Sequence, residues 1–280
     1  MPGPSSRRRT PIAMASPPAT TSSNSISRRF DALKKTSRRA LVCYVTAGHP
    51  DRERSLATLH ALEEGGADII ELGVPFSDPI ADGPIIQASS QKALENGMSY
   101  DGVVDLVAEA SLRSPVVLFS YLNPILAAGP DALARAAEAG AAGILVTDIP
   151  VGADPQREEW LGSSPLAFIR LVAPTTPRER MAEIARHGSG FVYLISRLGV
   201  TGVREHTDSS LPETVRRLRS ATTLPICVGF GISTPAQARA IGEIADGVVV
   251  GSALVKAAET GPEEVLKLTR SLREALDGKL

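Results

Sequence analysis

Aromatic residues are scarce, at 4% of 280 residues with a single Trp, so any core must be built from Ala, Val, Leu and Ile. Cysteine is scarcer still. Cys43 and Cys227 each lie inside an apolar run and read as reduced core thiols in a reducing compartment. The sequence supplies neither with the neighbours a disulfide or a metal pair needs. No stretch approaches the roughly eighteen uninterrupted apolar residues of a membrane helix. Charge of one sign is also missing: the formal net charge is -1, which argues against nucleic acid or an anionic membrane as partner. What remains, 43% hydrophobic and 22% charged residues, is the composition of an ordinary globular protein.

The first thirty residues stand apart. They carry Arg7, Arg8, Arg9, Arg28 and Arg29 among many Ser, Thr and Pro, with no acidic residue before Asp31. Residues 1–25 are too polar and Pro-rich to bury a core and are expected to be a disordered extension. The stretch lacks the apolar region of a secretory signal. It reads as a tail on a cytoplasmic protein, with Met14 as an alternative start. An Arg-rich, Ser-rich, acid-poor segment is also the pattern of an organelle transit peptide, which would place the protein in a stroma.

Residues 26–280 form one repeating pattern. Short apolar, β-branched runs occur at Leu41–Thr46, Asp68–Gly73, Val116–Tyr121, Gly143–Thr147, Leu166–Val172, Gly190–Ser196, Pro225–Gly229 and Asp246–Gly251. Helical periodicity fills 53–64, 86–96, 101–111, 130–138, 154–161, 177–187, 211–220, 234–242 and 261–276. Ser99, Asp131, Pro177, Pro212 and Pro235 sit where N-caps or first-turn prolines belong. Continuous apolar strands are buried on both faces, as in a parallel sheet covered by helices. Eight such units in about 250 residues is the arithmetic of a (β/α)8 TIM barrel in the α/β class, with a doubly wound open sheet as the competitor. A further helix at 26–37, bearing Phe30 and Leu33, would plug the barrel's bottom.

Active sites of such barrels form at the C-terminal ends of the strands. There Glu71 interrupts the apolar run Ile69-Ile70-Glu71-Leu72, and with alternating side chains it points away from Ile70 and Leu72. A barrel strand has no wet face, so Glu71 is either half of a structural ion pair or faces a ligand at the mouth. Desolvation would raise its pKa, which suits a general acid and base. The loop that follows brackets Asp78 and Asp82 with Pro75, Pro79, Gly83 and Pro84, so it is held in shape. Asp78 reads as a turn or cap residue; Asp82 is the functional candidate. His49, His60, His187 and His206 are scattered and read as surface residues.

The segment Glu71-Leu-Gly-Val-Pro-Phe-Ser-Asp-Pro-Ile-Ala-Asp-Gly-Pro84 resembles the signature of tryptophan synthase α subunits. Leu41–Asp51, Ser120–Pro124, Val146–Pro150, Phe191–Gly202, Gly229–Ile232 and Gly247–Ala253 resemble the same family in order, so the likeness runs from about residue 26 to the C-terminus. Tyr44 stands where many relatives have Phe, and Thr147 where a small apolar residue is common. The arginine-rich extension lies outside the family pattern.

The resemblance implies a lyase of tryptophan biosynthesis that splits indole-3-glycerol phosphate into indole and glyceraldehyde 3-phosphate. Glu71 and Asp82 would be its catalytic carboxylates. Tyr44, Phe119, Tyr121, Leu145, Thr147 and Tyr193 would line the substrate pocket. Phosphate would bind at Gly229, Phe230 and Gly231 and at Gly251 and Ser252, the loops after strands seven and eight, where backbone N–H groups face an anion. Arg197–Gly202 would be a lid, with Thr201 placed to hydrogen-bond near Asp82 on closure and Thr201 and Gly202 binding substrate. No metal or cofactor is implied in this subunit; pyridoxal phosphate would belong to a β subunit that takes the indole in an α2β2 heterotetramer. The segment after strand two and Ser120–Pro124 would form the β-contacting surface. The alternatives are a stand-alone lyase that releases free indole and a non-catalytic phosphate-binding barrel acting as an allosteric partner.

Overall fold

The computed structural model describes residues 24–196, 211–229 and 231–279. Eight strands, β1 (Ala40–Thr46), β2 (Ile69–Gly73), β3 (Val116–Ser120), β4 (Ala141–Val146), β5 (Ala167–Val172), β6 (Val192–Ile195), β7 (Ile226–Gly229) and β8 (Gly247–Val250), pair in parallel and in sequence order. The eighth pairs with the first, so the sheet closes into a TIM barrel.

Helices alternate with the strands: α1 (Ser25–Lys35), α2 (Arg52–Glu64), α3 (Pro84–Glu95), α4 (Tyr100–Ala110), α5 (Leu122–Ala127) and α6 (Ala132–Glu138). Then come α7 (Pro155–Gly162), α8 (Arg178–Arg186), α9 (Leu211–Arg219), α10 (Pro235–Gly242), α11 (Ser252–Thr260) and α12 (Pro262–Leu276). Ser99 caps α4 by accepting from the Gly102 N–H, and Pro235 opens α10 behind a capping box of Thr234 and Gln237. Asp131 precedes α6 without a side-chain cap, and Pro177 is the N-cap of α8 rather than a first-turn residue. Two helices go beyond the alternation read from sequence, α5 and α11, each directly after a strand. No helix among the described residues is long and apolar enough to cross a membrane.

Side-chain alternation divides the apolar residues into two layers. Leu41, Cys43, Val45, Ile70, Leu72 and Leu118 pack outward against the helices. Val42, Tyr44, Ile69, Val117, Phe119, Leu145, Ile169, Tyr193 and Cys227 fill the lumen. Ile26, Phe30 and Leu33 of α1 join that inner cluster, with the Phe30 and Phe191 rings 5.9 Å apart, so α1 plugs the barrel as expected. Scarce aromatics leave Val, Leu and Ile as the bulk of both layers, and both cysteines are free and buried.

Two buried ion pairs pin the outer shell. Arg273 of α12 bonds Asp68 at 2.8 Å and the Arg39 carbonyl at 2.9 Å, joining the last helix to the entries of β1 and β2. Arg170 on β5 bonds Glu158 of α7 at 2.9 Å and the Ile149 carbonyl at 3.1 Å, while Glu158 accepts from the Gly152 N–H at 2.6 Å. The second pair therefore fixes the loop that follows β4.

Candidate active site

Glu71 is 0% exposed and points into the lumen, opposite in sense to Ile70 and Leu72. Among the described residues neither carboxylate oxygen has a hydrogen-bond partner. Among the described residues it is not half of an ion pair. Burial alone pushes its pKa up to about 8, so the acid is neutral at physiological pH and has a proton to give. Burial holds the Tyr193 and Cys227 side chains across the lumen well above their ordinary values, and ionising Glu71 would push both further up.

Asp82 lies at the other side of the mouth. It is 5% exposed, deeper than a loop residue facing solvent would be. The Tyr121 hydroxyl donates to its Oδ2 at 3.1 Å and accepts from the Ala81 N–H at 2.9 Å. Tyr121 is itself held by the Phe76 ring, with centroids 5.0 Å apart. Gln87 of α3 closes the turn by donating to the Asp82 carbonyl at 2.8 Å. Burial raises the Asp82 pKa to about 6 and the Tyr121 bond pulls it back, so this group is mostly ionised where Glu71 is not. Replacing Tyr121 by Phe removes the one side-chain donor to the Asp82 carboxylate among the described residues and should raise the Asp82 pKa while costing about 1–2 kcal/mol of its stabilisation. A shift of the acidic limb of the activity profile to higher pH is the readout. Asp78, by contrast, is exposed; its carboxylate accepts from its neighbour Ser77 at 2.5 Å and its carbonyl from the Ile80 N–H at 2.9 Å, as in a turn.

The remaining pocket residues converge on the same mouth. Tyr44 and Phe119 meet edge to face with centroids 5.2 Å apart, and Leu145 is buried in the inner cluster beside them. Thr147 follows β4 and its hydroxyl interacts with Tyr121. The Tyr193 hydroxyl occupies the space a Cβ on Gly229 would need, 2.2 Å from it, so Gly229 is a requirement of Tyr193's position. Gly231 adopts φ +77 and Gly251 is the N-cap of α11 with no side-chain hydrogen bond. The two helix starts near these loops differ: Gln237 and Thr234 satisfy the donors of α10, whereas α11 begins at Ser252 without a side-chain cap. An anion is better served by the second. Phe230, Thr201, Gly202 and the rest of the expected lid, Arg197–Gly202, lie outside the described residues, as does His206.

A family model described as tryptophan synthase alpha chain matches residues 30–277. This chain belongs to that family. Tryptophan synthase alpha chains from Desulfatibacillum aliphaticivorans and Laribacter hongkongensis are 44% and 45% identical to it, over 90% and 91% of this chain and 99% of each relative. Among solved structures, a Mycobacterium tuberculosis tryptophan synthase chain superposes with a TM-score of 0.83 at 37% identity, covering 91% of this chain and 99% of that one. The tryptophan synthase alpha subunit of Legionella pneumophila does so with 0.82 at 35% identity, covering 91% and 99%. As a tryptophan synthase alpha chain the protein is a lyase subunit of tryptophan biosynthesis.

One expectation fails and two residues were missed. His49 is not a surface residue: it is 6% exposed, because the turn at Gly48 tucks it against α11, 3.9 Å from Glu259. Burial lowers its pKa. His60 and His187 are exposed, as read. Thr46 and Ser89, whose hydroxyls meet at 2.6 Å in the buried mouth, escaped attention. The signal was there, since Thr46 follows Tyr44 at the spacing that shares a strand face.

Proposed function

We propose that this chain cleaves indole-3-glycerol phosphate to indole and glyceraldehyde 3-phosphate, with Glu71 as the proton donor and acceptor. The observation that carries this is a fully buried carboxyl, without a hydrogen-bond partner among the described residues, and a second, more readily ionised one at the same mouth of a lyase-family barrel. The bond from ring C3 to the glycerol carbon cannot break while the ring stays aromatic. Neutral Glu71 gives its proton to C3, which makes a cationic ring whose N–H faces Asp82. The resulting Glu71 carboxylate takes the hydroxyl proton from the adjoining carbon. That carbon becomes the aldehyde, and the bonding pair restores the aromatic ring and neutralises its nitrogen. Glu71 ends protonated, as it began. The protonated ring is the electron sink, so no cofactor is needed here. The phosphate would rest on the uncapped start of α11 at Gly251 and Ser252, with Gly231 opposite.

The proton inventory predicts a bell-shaped pH profile for kcat/KM. Activity rises as Asp82 ionises near about 6 and falls as Glu71 loses its proton near about 8. A profile flat from pH 5 to 9 contradicts the assignment.

A β subunit is the proposed partner. Among the described residues the exposed large apolar side chains are Ile80 (85%), Ile85 and Leu126. They lie on the loop after β2, the start of α3 and the helix after β3, around one mouth. Tyr121 links this surface to the site, since it caps α5 and holds Ala81 and Asp82. Indole release from indole-3-glycerol phosphate, with and without a β subunit, tests the reading. Slow turnover that rises at least about tenfold on adding a β subunit is expected. Fast unaided turnover identifies a stand-alone lyase instead, and no indole in either case overturns the activity.

A further inference from the structure

Asp82 ends the turn Pro79-Ile80-Ala81-Asp82, and the main chain of that turn is bonded from three directions. Within it the Asp82 N–H donates to the Pro79 carbonyl at 3.1 Å. From β3 the Tyr121 hydroxyl accepts from the Ala81 N–H and donates to the Asp82 carboxylate. From α3 comes Gln87, whose Nε2 lies 2.8 Å from the Asp82 carbonyl and 3.4 Å from the Pro79 carbonyl. Both neighbours only accept, so the amide presents its NH2 to the turn, and its two protons match the two carbonyls. The Gln87 N–H is itself tied to the Gly83 carbonyl at 2.9 Å, which gives the side chain a fixed base.

These bonds set the direction of the Asp82 side chain. The Cα–Cβ bond of a residue follows from the two peptide planes that flank it, through φ and ψ. The bond to Pro79 pins the plane before Asp82, and the bond from Gln87 pins the plane after it. Released from Gln87, the Asp82–Gly83 peptide is free to rotate, and a glycine on its far side resists little. A competing partner is close. Gly83 is the N-cap of α3 and brings no side-chain cap, so the first N–H groups of that helix attract a neighbouring carboxylate.

We propose that Gln87 is a positioning residue, which clamps the Asp82 peptide so that the carboxylate meets the ring N–H of the substrate instead of the start of α3. This rests on the reading of Asp82 as the carboxylate that faces the indole nitrogen. Gln87 is exposed on α3, so it acts through the Asp82 main chain and not on the substrate. The role requires a donor. Met fills a similar length without a proton, and an ionised Glu turns oxygens toward two carbonyls.

The test follows kcat and KM for indole-3-glycerol phosphate from pH 5 to 8, together with amide hydrogen exchange, in wild type, Gln87→Met, Gln87→Glu, Asp82→Asn and the Gln87→Met/Asp82→Asn double variant. Gln87→Met is expected to lower kcat about 3- to 10-fold, in line with the loss of one neutral hydrogen bond, with KM little changed. Gln87→Glu should lose more at pH 8, and its deficit against wild type should shrink toward pH 5 as its carboxyl gains a proton to donate. Gln87→Met should cost nothing further in the Asp82→Asn background. Exchange at Ala81 and Asp82 should quicken at least about threefold in Gln87→Met while the strand amides keep their wild-type rates. If Gln87 only supports α3, its loss leaves kcat unchanged, or lowers it equally with and without the Asp82 carboxylate; either result overturns the proposal. Exchange is read without turnover, so a wild type that makes no indole from indole-3-glycerol phosphate defeats the lyase reading alone; unchanged rates at Ala81 and Asp82 would still overturn the clamp.

Discussion

Glu71→Gln is expected to release indole at least about 10³-fold more slowly than wild type and to melt at a higher temperature. General acid–base catalysis by one positioned group contributes typically 10²–10⁴-fold, and here a single carboxyl serves both proton transfers. Gln keeps the shape and cannot donate or accept the reacting proton. The stability gain follows from linkage. A carboxyl held at about 8 in the folded chain and near 4.5 when unfolded keeps in the fold a proton that the unfolded chain has lost. Wild type therefore loses stability as pH rises from about 4.5 to about 8, at about 1.4 kcal/mol per pH unit, whereas the amide of the variant does not titrate. The two melting curves should coincide near pH 4 and diverge toward pH 8. Equal activity in the variant removes Glu71 from the chemistry; a melting difference independent of pH removes its buried proton.

The second large effect is on stability. Arg170→Met leaves the Glu158 carboxylate buried and without its cationic partner, with only the Gly152 N–H remaining to it. Losing one member of a buried pair costs about 3–5 kcal/mol, which for a chain of this size lowers Tm by roughly 5–9 °C. The guanidinium also stacks over the Phe168 ring at 3.8 Å and holds the Ile149 carbonyl, so packing is lost with the charge. Arg170→Met combined with Glu158→Leu should recover most of the loss, because no unpaired charge then remains. Thermal unfolding of the three variants checks this, and additive losses in the double variant would contradict it.

Much of the fold can be read from residues alone. Eight apolar runs became eight strands because a strand covered on both faces leaves no room for polar interruption, and the breaks between runs are where the chain turns. The same logic isolated Glu71: an acid between Ile70 and Leu72 has nowhere to go but the lumen. Helix α5 was illegible for a physical reason. Its six residues, Leu122–Ala127, include Pro124 and lack a polar cap, too short a span for periodicity to register. Helix α11 begins on Gly251 with no side-chain cap and so lacks a start signal.

The site was legible unevenly. Asp82 looks like any turn residue in sequence, and its burial and its bond to Tyr121 depend on packing between the β2 loop and the end of β3. His49 is buried by a contact with α11, more than two hundred residues away in the chain, which local sequence does not encode. Thr46 and Ser89 are separated by forty-three positions, so their hydroxyl contact exists only once β1 and α3 meet. Local rules locate a residue on its element; partners across the mouth come from topology.

The central claim is that Glu71 enters the reaction as a neutral acid, and its own titration is the direct measurement. Infrared difference spectra between wild type and Glu71→Gln isolate the carboxyl C=O stretch of this one residue. A protonated-acid band that persists at pH 7 and vanishes with a midpoint near about 8 is the predicted result. A midpoint near 4.5, with carboxylate bands alone at pH 7, would contradict the account.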